Sequence, residues 1–237
     1  MSVEYIALDL ETTGLDPKRD KILEIGAARV RDGEILESWQ TFVDNRMPVS
    51  EFITNLTGIT EEMVTGAPSA AAAVEKFLEF CGDAPILGHN ILFDYSFIKK
   101  AAVNMGKEFE RKGIDTCRIA KKFMVEPKSK SLESLCQHYG IEREHCHRAY
   151  DDAVAASRLY HCLREEFLEV SPAAFDPVPL YCRVKKDSPI TKSQKVYLND
   201  LTKYHRIELN VSPEKLTKSE ASRMIDEIIL KYGRIKR

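Results

Sequence analysis

The chain has 237 residues, 43% of them hydrophobic and 30% charged, with a formal net charge of −2. That length suffices for one full domain and a small second one, and the composition is that of a globular protein, not of a disordered one. No apolar run approaches the roughly 20 residues that a membrane span needs.

The N-terminus, MSVEYIALDLETTG, has no basic stretch, and its apolar run is broken by Glu4 and Asp9, so it does not read as a signal peptide. Six cysteines are spread along the chain without CxxC pairs. Spacing of this kind predicts reduced thiols and a cytoplasmic protein, not a disulfide framework. The small net charge hides an asymmetry. Residues 185–237 hold 13 basic and 7 acidic side chains, a net of +6, and residues 1–184 hold 22 basic and 30 acidic, a net of −8. An acidic body that must approach a polyanion gains from metal ions and from a basic attachment.

Tyr5 to Leu10 is short and apolar and predicts a buried strand ending near Asp9. Ile22 to Val30 and Ile35 to Val43 flank Asp32-Gly33, a strong hairpin signal. The spacing of Val74, Phe77 and Leu78 predicts a helix over 70–81, and Pro85-Ile86-Leu87 is short enough for a central strand. Further helices are predicted over 93–105, 116–123, 131–139 and 149–167. Hairpin-linked strands followed by alternating helix and strand point to an α/β domain with a mixed sheet. Four prolines between Pro172 and Pro189 place a linker at 170–190. Beyond it, residues 191–237 predict a small basic module of two helices, the second opened by the capping-box pattern Thr217-Lys-Ser-Glu220. No internal repeat is evident.

Asp9 and Glu11 in DLETTG are two positions apart, so on a strand both side chains leave one face. Asp94 in GHNILFD follows the central strand, and Asp152 in HRAYDD falls in the first turns of the last long helix. Four carboxylates converging at the end of a sheet repel one another unless cations sit between them. Oxygen donors suit hard divalent ions, and two such ions suit phosphodiester hydrolysis. His147, five residues before Asp152, can reach a metal-bound water as general base, since an imidazole titrates near neutral pH. Cys136, His138, His145, Cys146 and His147 also form a cluster, but its spacing fits no familiar zinc pattern, and Cys136 falls on the apolar face of its helix.

DLETTG, GHNILFD and HRAYDD resemble the three motifs of the DEDDh (DnaQ-like) 3′–5′ exonuclease family, which includes the epsilon proofreading subunit of DNA polymerase III and the exonuclease domain of PolC polymerases. Leu56-Thr-Gly-Ile-Thr60, Ala67-Pro68, Asp115-Thr116 and Leu132-x-x-Leu135 extend the likeness over residues 1–169. The resemblance implies an RNase H-like fold with a mixed five-stranded sheet flanked by helices, two Mg²⁺ or Mn²⁺ ions, and removal of nucleotides from a 3′ end. It assigns metal binding to Asp9, Glu11, Asp94 and Asp152, the general base to His147, and substrate contacts to Thr12, Thr13, Leu15, Asn90 and Phe93. It implies single-stranded nucleic acid as the bound polymer, DNA ahead of RNA, with proofreading or repair in partnership with a polymerase subunit. Two alternatives stay open: an exoribonuclease of the RNase T or oligoribonuclease type, and a non-catalytic nucleic-acid-binding or polymerase-tethering module. The C-terminal stretch weakly resembles a small domain found appended to such exonucleases, a likeness that carries no activity.

Overall fold

A computed structural model describes residues 3–45, 48–143, 147–209 and 211–235. The chain divides into two compact units, Met1–Val184 and Lys185–Arg237.

In the first unit, β1 (Glu4–Thr12), β2 (Ile22–Arg31) and β3 (Glu34–Phe42) form an antiparallel meander. Asp32 and Gly33 both take positive φ at the β2–β3 turn, which Asn and Asp tolerate and Gly adopts freely. Helices α1 (Glu51–Thr57), α2 (Glu61–Val64) and α3 (Ala70–Cys81) lead to β4 (Ile86–Gly88), which pairs parallel with β1. After α4 (Leu92–Asn104), β5 (Lys112–Asp115) adds on parallel to β4. Helices α5 (Thr116–Phe123), α6 (Leu132–Tyr139) and α7 (Ala149–Phe167) complete the layer against the other face. The two faces of β1 explain the layering. Ile6, Leu8 and Leu10 pack with α3 and α4 residues such as Phe77 and Ile98, whereas Tyr5 and Ala7 pack with Leu159 and Tyr160 of α7.

Three expectations are corrected. The sheet has six strands, not five, in the order β3-β2-β1-β4-β5-β6. The sixth, β6 (Val178–Pro179), pairs antiparallel with β5 and lies inside the stretch expected as a linker. Residues 172–180 are packed because Phe175 is buried beside Tyr160 and Phe123, and Leu180 covers Gly113 while its amide donates to the Arg111 carbonyl. Proline is compatible with such an edge strand, since it lacks only a donor that faces outward. The first strand also runs on past Asp9 to Thr12, because Leu10, Glu11 and Thr12 keep pairing with Ile25, Glu24 and Ile22.

The second unit holds α8 (Lys192–His205) and α9 (Lys218–Tyr232). Each opens on the same four-residue start, Thr-Lys-Ser-Gln and Thr-Lys-Ser-Glu, and each start closes a capping box. This short repeat escaped the sequence reading. Gln194 Nε2 donates to the Lys218 carbonyl at 2.9 Å, and His205 Nε2 lies 2.9 Å from the Gly233 carbonyl, so the helices run parallel with like ends together. Leu198, Leu201, Leu216, Ala221, Ile225 and Ile228 form its core. Among the described residues no helix is long and apolar enough to cross a membrane. The cysteines among them, Cys81, Cys117, Cys136, Cys162 and Cys182, are free thiols.

Gly26 on β2 is where α7 comes closest. A Cβ there would stand 2.1 Å from the Tyr150 amide nitrogen and 2.2 Å from the Ala149 carbonyl carbon. Backbone cannot yield as a side-chain tip can. Gly26→Ala is expected to cost about 3 kcal/mol, lowering the thermal midpoint by roughly 6–12 °C. Thermal unfolding checks this, and an unchanged midpoint would contradict the packing.

Candidate active site

Asp9 and Glu11 leave the α7 face of β1, one pleat apart. Asp94 sits in the first turn of α4 and is 3% exposed. By the register, β4 has ended where β1 reaches Leu10, so the amide of Leu10 on that edge has no strand partner and donates instead to Asp94 Oδ1 at 3.0 Å. Asp152 lies in the first turn of α7 and is buried. His147 precedes that helix, exposed, on a left-handed backbone with φ 61°.

These elements bring one ligand-capable atom each from Glu11, His147 and Asp152 within 4.8 Å of one another. Asp9 and Asp94 lie outside that tight trio and are joined to it electrostatically. Loss of water, then the charges of Asp94, Asp152 and Glu11, push the half-buried Asp9 carboxyl well above the usual carboxylate range. Burial does the same to Asp94, opposed by the bond from Leu10. Glu11 is pushed up to about 7 by burial, by Asp152 and by Glu24, with Arg148 and Arg143 pulling the other way. Asp152 is raised by burial and relieved by Arg143. An all-oxygen set with one imidazole fits a hard divalent cation, and the raised carboxyls mark where its charge would act.

Two arginines that the sequence reading passed over complete the cluster. Arg143 forms an ion pair with Asp152, with both side chains under a tenth exposed. A divalent ion on Asp152 would therefore compete with this guanidinium for the same oxygens. Arg148 donates to the Glu24 carboxylate at 2.8 and 3.2 Å, the amide of Ala149 adds a third bond at 3.2 Å, and the guanidinium lies over the Phe42 ring. Glu24, 1% exposed, thus pins the start of α7 to β2 and with it the positions of His147 and Asp152. Glu24 sits opposite Glu11 in the ladder. A carboxylate inside the apolar run ILEIGAA was the available signal, since a buried acid demands a partner.

The residues expected to touch substrate divide. The Thr12 hydroxyl donates to the Gly14 carbonyl at 2.7 Å and that of Thr13 accepts from the Lys21 amide at 2.9 Å, so both hold the loop between β1 and β2. Leu15, on that loop, is 84% exposed. Asn90 is exposed on a left-handed backbone beside Asp115, and Phe93 is half-buried against Phe97. Of the alternative cluster, Cys136 is buried and His138 is exposed beside Tyr139, while His145 and Cys146 lie outside the described residues.

A mixed six-stranded sheet flanked by helices is an RNase H-like fold of the kind found in exonucleases. The chain belongs to the exonuclease family, whose RNase_T model, described as "Exonuclease", matches residues 6–160. It is 42% identical over 156 residues to the DNA polymerase III PolC-type of Clostridium perfringens, a match covering 66% of this chain and 11% of that protein. A second PolC-type relative, from Caldanaerobacter subterraneus subsp. tengcongensis, is 37% identical over 70% of this chain and 12% of its own length. The chain thus spans about an eighth or less of these relatives. E. coli exonuclease I in complex with a dT13 oligonucleotide has a similar fold, with a TM-score of 0.63 and 18% identity over 71% of this chain and 42% of that one.

Raised carboxyls have a consequence for stability. Below about 4.5, the ordinary glutamate value, Glu11 is protonated in both folded and unfolded chains. Between that pH and about 7 the unfolded chain loses the proton that the folded chain keeps, so stability falls as pH rises and then levels off. Asp9, Asp94 and Asp152 act in the same direction. In chelator, thermal midpoints of the wild type are expected to fall across this window and those of Glu11→Gln to fall less. Identical profiles would contradict the electrostatics described.

Proposed function

We propose that this chain is a metal-dependent 3′–5′ exonuclease that removes nucleotides from the 3′ end of single-stranded DNA, working with two Mg²⁺ or Mn²⁺ ions in proofreading or repair. The observation that carries the reading is the gathering of Asp9, Glu11, Asp94 and Asp152, desolvated and within electrostatic reach of one another, with exposed His147 beside Glu11 and Asp152. Four such groups have no use in a binding module. The PolC-type relatives and the exonuclease I complex support DNA as the polymer and a polymerase subunit as the partner. A cytoplasmic setting belongs to the same reading.

Asp9, Glu11, Asp94 and Asp152 would hold the metal ions, which supply positive charge at the scissile phosphate and lower the pKa of an attacking water. His147, exposed and free of the helix ladder, takes the proton from that water. Glu24 and Arg148 keep the start of α7 from shifting, and with it His147 just ahead of the helix. Asp94 is oriented by the Leu10 amide, so the α4 carboxylate and the β1 pair keep a fixed relation. Leu15 offers an exposed apolar surface to a terminal base, Thr12 and Thr13 fix the loop that carries it, and Asn90 and Phe93, around the start of α4, would help to seat the strand.

The test uses 5′-labelled DNA and RNA oligomers with Mg²⁺, Mn²⁺ or chelator. DNA is expected to shorten stepwise from its 3′ end only with metal. Asp9→Ala is expected to abolish cleavage with the fold retained, and His147→Ala to slow the chemical step about 10²- to 10⁴-fold. Cleavage of RNA alone would move the substrate class. A fully active Asp9→Ala would refute the site.

A further inference from the structure

The second unit carries a row of three rings that the catalytic reading leaves unused. At the C-terminal ends of the parallel helices α8 and α9, the Tyr204 ring meets His205 edge-on at 4.9 Å, and His205 faces Tyr232 at 5.7 Å and 32°. His205 is tied to the Gly233 carbonyl, so the row spans both helices and is held as one piece. Tyr204 is 49% exposed and Tyr232 is 47% exposed. Lys203, Arg206, Lys231 and Arg234 are exposed around them, with Lys231 over the Tyr232 ring.

Helix dipoles account for a basic residue in each last turn, but not for two tyrosines left about half exposed beside them. Basic residues also outnumber the acidic ones in this unit, 13 to 7 over residues 185–237. Glu214 is paired with Lys195 and Glu220 closes its capping box, while Asp200, Glu208 and Glu227 are the carboxylates nearest the rings in the chain. With a net charge of +6 over residues 185–237, the unit suits a polyanion. A ledge of rings bordered by cations matches one chemistry in particular. Unpaired bases stack on aromatic faces while their phosphates meet Lys and Arg, and a duplex hides the faces that stacking needs.

We propose that Tyr204, His205 and Tyr232, with Lys203, Arg206 and Lys231, form a second binding site for single-stranded nucleic acid, separate from the carboxylate cleft. Its purpose rests on the reading above: an enzyme that trims a strand stepwise gains from a second hold on it. The binding itself needs no metal and no hydrolysis. Stacking tolerates any base, so the site is indifferent to sequence.

Fluorescence anisotropy of labelled dT20 with the full chain in chelator tests the ledge without cleavage. Tyr204→Ala with Tyr232→Ala is expected to weaken binding about ten-fold or more, and Tyr204→Phe with Tyr232→Phe to bind as the wild type does, because rings without hydroxyls still stack. Lys203→Ala, Arg206→Ala and Lys231→Ala together are expected to reduce the slope of log affinity against log salt by about two. Wild-type affinity in the alanine pair with an unchanged salt slope in the triple variant would overturn the proposal and leave the ledge as a surface for a protein. Equal loss in the phenylalanine and alanine pairs would also overturn it, since it would mark a disturbed fold in place of lost stacking. Hydrolysis of a labelled trinucleotide with Mn²⁺ reads the carboxylate cleft alone. Its absence in a wild type whose dT20 binding depends on the two rings would sink the proposed chemistry and support the ledge.

Discussion

Carboxylates crowded where water is scarce are the constraint around which the first unit is arranged. An ionised carboxylate inside protein costs several kcal/mol unless it is paired or hydrogen-bonded, and neighbours of like charge add to that cost. Each acid here has a different answer. Asp94 takes the amide that β1 exposes where β4 stops, Asp152 takes the guanidinium of Arg143, and Glu24 is compensated in full by Arg148 and Ala149. Asp9 and Glu11 receive little, and theirs are the carboxyls pushed up by burial and by their neighbours' charges. The proposed cations are the remaining answer: bound there, they would turn an unfavourable cluster into a site.

The fold keeps that cluster rigid by anchoring it on regular elements. Asp9 and Glu11 stand on the central strand, Asp94 and Asp152 in first turns of helices, and only His147 on a loop. Gly26 lets the start of α7 rest on β2, and Glu24, one pleat away on the same strand, clamps that contact by hydrogen bonds. The division suits the proposed chemistry. Ligands benefit from fixed separations, whereas a base must move a proton to and fro at the rim.

Much of this was legible because strong local signals coincide with it. Asp32-Gly33 announces its hairpin, the apolar spacing of 70–81 and 149–167 announces the helices, and three acidic motifs in one order mark the cleft. What escaped notice had its cause in distant partners. The four residues of β5 include Gly113 and show no alternation, and they are a strand only because β4 and β6 flank them. Four prolines made 170–190 look like a linker, whereas Phe175 and Leu180 within it find apolar pockets that only the folded sheet creates. The Arg143–Asp152 and Arg148–Glu24 pairs join residues that nothing local connects, the latter across 124 positions.

The central claim is that burial and neighbouring charge raise these carboxyls, so that a bound cation would displace protons from them. Calorimetric titration of Mn²⁺ near pH 6, repeated in buffers of different ionisation enthalpy, measures both uptake of the ion and the protons it expels. The account requires saturable binding with proton release, in which the share from Glu11 diminishes above about pH 7. Saturable binding without proton release, or no binding at all, would contradict it.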